Sequence, residues 1–184
     1  MVKVALSYLL ALGGAGIVAY ATMLVIAMNC DYPAARFKII QALRTQPWQA
    51  EIMTKTKPGS FFDGIHAAMK TAGTLGLRDI EMLQKATLPS YDAAVSMIPM
   101  KWKGVFGKLK LGGGAAVAGL GMAISASAMP VLHIILLVGV VAAAIYMFSV
   151  KNDCDRYVVL ARHEILPEVE QCIAAGRYGV PPVM

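Results

Sequence analysis

The chain has 184 residues, 58% of them hydrophobic and 15% charged, against about 25% charged for an ordinary soluble domain. Its formal net charge is +6, but the basic residues lie scattered beside apolar runs, which sets nucleic-acid binding aside and reads instead as orientation in, and contact with, an anionic membrane. Cys30, Cys154 and Cys172 form no C-x-x-C and have no His at ligand spacing, which argues against a zinc or iron–sulfur site and against a disulfide scaffold. Neither Asn29 nor Asn152 heads a glycosylation acceptor.

Residues 4–30 predict a first transmembrane helix, with Lys3 before it and Asp31 after it. Ala19-Tyr20-Ala21 resembles a signal-peptidase site. The apolar run continues unbroken through Met28, however, so a retained anchor is the expectation. Ala11, Ala15 and Ala19 recur every four residues and mark a smooth face for close packing against another helix.

Residues 31–99 predict a polar region of short amphipathic helices. Pro33 suits the first turn of a helix over Ala34 to Thr45, and Trp48 to Thr56 forms a second before the Lys57-Pro58-Gly59-Ser60 turn. Asp63 is placed as an N-cap for Gly64 to Ala72, with Gly73 ending that helix. Leu77 to Thr87 is expected to stop before Pro89, and Ser90 to cap a last piece ended by Pro99. Pieces this short suggest no large core of their own and predict cover from the membrane or a partner.

Residues 100–110 predict a basic interfacial helix. Trp102, Val105, Phe106 and Leu109 share one face, flanked by Lys101 and Lys108 on one side and by Lys103 and Lys110 on the other. Aromatic bodies at headgroup depth with lysines reaching phosphates are the signature of an interfacial element. Each such lysine contributes about 1 kcal/mol near an anionic surface. Lys101, Trp102, Lys103, Phe106, Lys108 and Lys110 are therefore the expected lipid contacts.

Residues 111–150 hold forty consecutive positions without Asp, Glu, Lys or Arg. A bilayer core needs about 20 apolar residues per helix, so the run reads as a hairpin, or one long segment, broken near Pro130. Ala115, Gly119, Ala123 and Ser127 form a second small-residue face. Residues 151–184 predict an amphipathic helical tail in which Pro167 is a kink. The first span ends in Met-Asn-Cys-Asp-Tyr (28–32) and the last in Lys-Asn-Asp-Cys-Asp-Arg-Tyr (151–157). That echo favours exits on one side, hence three spans over two. The lysines near the second apolar run place the loop on the cytoplasmic or matrix side.

No catalytic constellation stands out, so a non-enzyme is expected. His133, inside the apolar run, is the one weak cofactor candidate, for a haem, a quinone or a proton relay; His66 and His163 lie in polar segments. No Walker-type Gly-Lys pair follows the glycines at 112–114, and Ser125 and Ser127 have no nearby base. The fold expected is an all-α integral membrane protein with two to three transmembrane helices, three favoured, plus short amphipathic and interfacial helices.

One N-terminal span, a basic inner loop, a hairpin and an inner tail resemble in layout the motor-stator membrane subunits of bacteria; their motif residues are not present. The function expected is that of a non-catalytic accessory subunit of a multi-subunit membrane complex. A respiratory or ATP-synthesising assembly in the mitochondrial or bacterial inner membrane comes first, with other membrane subunits and bound anionic phospholipid as partners. The alternatives are a component of a bacterial secretion or conjugation channel or a self-assembling oligomer, and a haem- or quinone-binding subunit of an oxidoreductase.

Overall fold

The computed structural model describes residues 2–126 and 130–178, and the described residues contain helices and turns but no strand. In chain order the helices are α1 (Val2–Met28), α2 (Tyr32–Thr45), α3 (Pro47–Thr54), α4 (Phe61–Leu75), α5 (Ile80–Ser96), α6 (Ile98–Ser125), α7 (Val131–Glu164) and α8 (Leu166–Ala174). They divide into two compact units. The first comprises Met1–Ala27 and Met100–Lys151, the second Met28–Pro99 and Asn152–Met184.

The first unit is apolar. Two helical stretches are long and apolar enough to cross a membrane, α1 and the one starting at Val131. Along α1 the buried positions are Ser7, Ala11, Gly14, Val18, Ala21 and Val25. Along α6 they are Ile98, Trp102, Val105, Leu109, Gly112, Ala116, Gly119 and Ala123. Both series step alternately by four and three, the 3.5-residue period of coiled-coil seams. The two helices run antiparallel: Gly14 meets Gly112 and Ala116, while Gly119 meets Ser7 and Ala11. A Cβ on Gly14 would lie 2.8 Å from the Ala116 amide nitrogen, and one on Gly119 2.7 Å from the Ser7 carbonyl oxygen. Only glycine fits this backbone-to-backbone approach. α7 closes the unit through Phe106 against Phe148, ring centroids 4.7 Å apart, and buries His133, Val140 and Met147 at every seventh residue.

Several sequence expectations change here. The basic segment 100–110 is not a separate helix; it is the first part of α6, which runs through Gly112, Gly113 and Gly114 without a break. Each internal glycine costs a helix about 1 kcal/mol, and the seam contacts at Gly112 and Gly119 offset that loss. The buried stripe of α1 passes through Gly14 and Val18. Ala11 lies in it, Ala15 is half-buried and Ala19 is exposed. A strict four-residue repeat drifts around a helix of 3.6 residues per turn, whereas the alternating repeat stays under one partner.

The second unit builds its own core, where the sequence suggested helices needing outside cover. Phe61, Ile65 and Met69 of α4, Leu83 and Tyr91 of α5, and Ile165 and Val169 near α8 are fully buried together. The tail supplies the missing layer, so two segments far apart in sequence cover each other. Ser60, not Asp63, caps α4, and Asp63 in the first turn accepts from the Gly59 amide at 2.8 Å. The helix ends at Gly76 in the left-handed region, φ +62°, rather than at Gly73. Gly73 faces the Tyr178 ring instead. Pro89 lies inside α5. A proline there removes one hydrogen bond, about 3 kcal/mol, but Leu83, Thr87 and Tyr91 on one face are all buried and hold the helix through it. Pro167 stands in the first turn of α8, where its missing N–H leaves no bond unmade.

Candidate functional site

Three places carry polar chemistry. In the first unit, His133 is 1% exposed, and among the described residues neither ring nitrogen has a hydrogen-bond partner. Its ring packs on Tyr8 of α1, centroids 4.7 Å apart and tilted by 44°. An imidazole with one donor and one acceptor nitrogen leaves both unsatisfied there. His66 and His163 belong to the second unit. His66 Nδ1 lies 3.2 Å from the Thr54 hydroxyl, and His163 lines a surface crevice. Among the described residues no three His, Cys, Asp or Glu side chains gather as a metal site.

The second place is the lysine-rich start of α6. Trp102 is 1% exposed, with its indole N–H unpartnered among the described residues, and packs toward Phe106 at 5.9 Å. It is a packing residue of the first unit rather than an outward one, because the seam period selects positions 98, 102, 105 and 109 together. Phe106 is half-buried, Lys101, Lys103 and Lys110 are exposed, and Lys108 is half-buried. The Lys108 ammonium stands 5.9 Å over the Tyr20 ring, a cation–π contact. Of the second small-residue face, Ala115 is half-buried while Gly119 and Ala123 lie in the seam; Ser127 falls outside the described residues.

The third place is the junction in the second unit where loop and tail meet. Glu164 accepts from the Tyr32 hydroxyl at 3.0 Å and pairs with Arg36 at 2.7 Å. Glu168 takes Arg44 through two nitrogens, at 2.6 and 3.3 Å. Arg162 meets Asp92 at 3.2 Å, and Tyr178 donates to Glu51 at 2.9 Å. Glu170, 5% exposed, accepts from Thr87 at 2.6 Å and borders a crevice of about 530 Å³ walled by Leu88, Leu166 and Pro167. Burial raises the Tyr32, Tyr91 and Tyr178 phenols well above their usual range, and the carboxylates beside Tyr32 and Tyr178 add to it. These pairs join α2, α3 and α5 to the tail.

No family model, curated protein or solved structure matches this chain. Function therefore rests on the residues themselves.

The cysteines act as packing groups. The Cys154 thiol donates to the Gly59 carbonyl at 3.6 Å and the Cys172 thiol to that of Leu43 at 3.2 Å. Burial pushes the Cys30 and Cys172 thiols up, partly countered by Lys57 and Arg177 respectively, which favours their thiol forms. The loop–tail junction escaped the sequence reading almost wholly. Its one visible signal was the Asp-Tyr echo: Tyr32 and Tyr157, the aromatic ends of the two exits, stack with centroids 5.0 Å apart.

Proposed function

We propose that the chain is a non-catalytic structural subunit of a multi-subunit membrane complex, with α1, α6 and α7 as three spans. A respiratory or ATP-synthesising assembly in a bacterial or mitochondrial inner membrane is the preferred setting, with the lysine-rich segment on the cytoplasmic or matrix side. One observation carries this reading. The outward surface of the first unit is built from large apolar side chains: Leu9, Leu12 and Met23 on α1, Val117 and Ile124 on α6, and Ile135, Val138 and Ile145 on α7 are all more than half exposed. A surface this apolar is unsuited to water. Lipid tails and neighbouring helices are its natural surroundings. Connectivity supports three crossings, since the chain enters the second unit after α1, leaves it into α6, and returns to it along α7.

The test is extraction followed by identification of what comes with the chain. The protein should need detergent to leave the membrane, and it should migrate on a native gel with other subunits and with a respiratory or ATP-synthesising activity. Release by salt or alkali alone would end the membrane reading.

A specific feature favours a second reading, a self-assembling oligomer such as a secretion or conjugation channel. Gly107, Gly114 and Gly121 recur every seven residues on the outer side of α6, with nothing within 4 Å of where their Cβ atoms would be, leaving room for the close approach of another helix. A native-gel ladder of this chain alone favours that reading. The unpartnered His133 keeps the haem or quinone alternative in view, and the absorption spectrum of the purified protein decides it.

A further inference from the structure

Charge is divided unequally between the two units. All eleven Asp and Glu residues lie in the second unit, where the remaining Lys and Arg residues match them in number. The first unit has no acid and no arginine. It carries Lys3, Lys101, Lys103, Lys108, Lys110 and Lys151, and so the whole +6. Three of these crowd into eight residues of α6, and among the described residues no carboxylate pairs with Lys103, Lys108 or Lys110.

Depth sharpens the point. Lys108 is level with Tyr20, and α1 continues uncharged from there to Ala27, seven residues or about 10 Å of helix. Over that stretch α1 carries Met23 and Ile26 outward. Cations beside apolar surface, without counter-ions in the chain, match an amphiphile whose phosphate is anionic and whose tails are hydrocarbon. We infer that Lys103, Lys108 and Lys110 bind the phosphodiester headgroups of anionic phospholipids, Lys108 with the Tyr20 ring on one flank of α6 and Lys103 with Lys110 on the other. The acyl chains lie along the outer faces of α1 and α6, and the half-buried Lys108, held over Tyr20, is the fixed point of its flank. This deepens the membrane reading above and rests on it.

The test uses the full chain in mild detergent, offered equal amounts of phosphatidylglycerol and phosphatidylcholine, with retained lipid measured by mass spectrometry after gel filtration. The native chain should retain phosphatidylglycerol about tenfold over phosphatidylcholine, and a K103Q/K108Q/K110Q variant should retain the two about evenly. A K103R/K108R/K110R variant and a K38Q/K57Q variant in the second unit should both behave as native. If the triple glutamine variant loses helix by circular dichroism, the single K103Q and K110Q variants take its place, each with an intermediate preference.

Even retention by the native chain overturns the site, as does an unchanged preference in the variants. Displacement of the lipid by excess inorganic phosphate would make it a site for the free ion. An acidic protein held by native chain and lost from the variant, with no lipid preference, would replace lipid as the counter-ion. Each of these leaves the membrane reading standing, whereas a chain soluble without detergent ends both.

Discussion

His133 occupies surroundings that penalise an imidazole. Each buried polar group without a partner costs about 1–3 kcal/mol, and the ring presents two, beside Tyr8 and inside the first unit. A flat apolar ring of similar size removes that penalty and keeps the contact with Tyr8. His133→Phe should therefore raise the thermal stability of the detergent-solubilised protein by about 1–2 kcal/mol. A fall instead, or the loss of a co-purifying chromophore, would give the imidazole a ligand.

The tyrosines of the second unit invite a titration. Burial is the largest cause holding the Tyr32, Tyr91 and Tyr178 phenols up, and hydrogen bonds to Glu164 and Glu51 reinforce it at Tyr32 and Tyr178. A raised folded pKa means the unfolded phenol, near pH 10, ionises first. Their contribution is thus complete below about pH 10 and is lost as pH rises beyond it. Phenolate absorbance should show these three appearing only together with the loss of helical circular dichroism. Early ionisation with the helices intact would contradict their burial. Glu51 has the opposite sign. Hydrogen bonds from Tyr178 and then Lys55 lower its pKa, so its contribution holds above the ordinary carboxylate range and fades on acidification.

At the scale of the helix, two glycines on α6 separate packing from propensity. Gly119 faces the α1 backbone, and a Cβ there would meet the Ser7 oxygen at 2.7 Å; Gly121, two residues on, has open space. Gly119→Ala should destabilise the protein by about 1–3 kcal/mol, because backbone cannot yield as a side-chain tip can. Gly121→Ala should be neutral or stabilising by up to about 1 kcal/mol. Thermal unfolding of the two variants in one detergent checks the pair, and equal effects would mean that the seam does not run through Gly119.

The seam was partly legible in the sequence. Small residues announce close packing on α1 and α6, but the repeat of four joins Ala15 and Ala19 to Ala11, whereas Ala11 and Gly14 make the contact. Which of several small residues faces a partner depends on the partner's register, and a single helix does not carry that information. Pro89 was misleading for a related reason. Local chemistry marks it as a break, and the buried contacts of Leu83, Thr87 and Tyr91 overrule it. Trp102 was read as interfacial from its lysine flanks, but its burial follows from the heptad it shares with Ile98, Val105 and Leu109.

On the scale of the whole chain, the most informative sequence feature was the weakest-looking one. The echo between residues 28–32 and 151–157 pointed to like surroundings for the two exits, and the stacked Tyr32 and Tyr157 rings now supply a contact behind it. The charge division was also present in the sequence, but it becomes visible only when the tail is assigned to the same unit as the loop.

That assignment has a topological consequence. A folded unit with one continuous core lies on one side of a bilayer, and both Cys30 and residue 152 belong to the second unit. The segment from residue 100 to residue 151 leaves that unit and returns to it, so it crosses an even number of times, and twice if α7 spans. Cys30 is half-buried, whereas Cys154 and Cys172 are buried, so the native cysteines alone would report one exit only. Replacing Cys154 and Cys172 by Ala leaves Cys30 to report the first exit, and adding Asn152→Cys to a chain lacking all three native cysteines reports the second, since Asn152 is exposed. With sealed vesicles of one orientation and a membrane-impermeant maleimide, both variants should label from the same face, and a Lys3→Cys variant from the opposite one. Labelling of Cys30 and of the cysteine at 152 from opposite faces would leave α6 and α7 with a single crossing between them. The core shared by loop and tail could not then exist in the membrane-embedded protein.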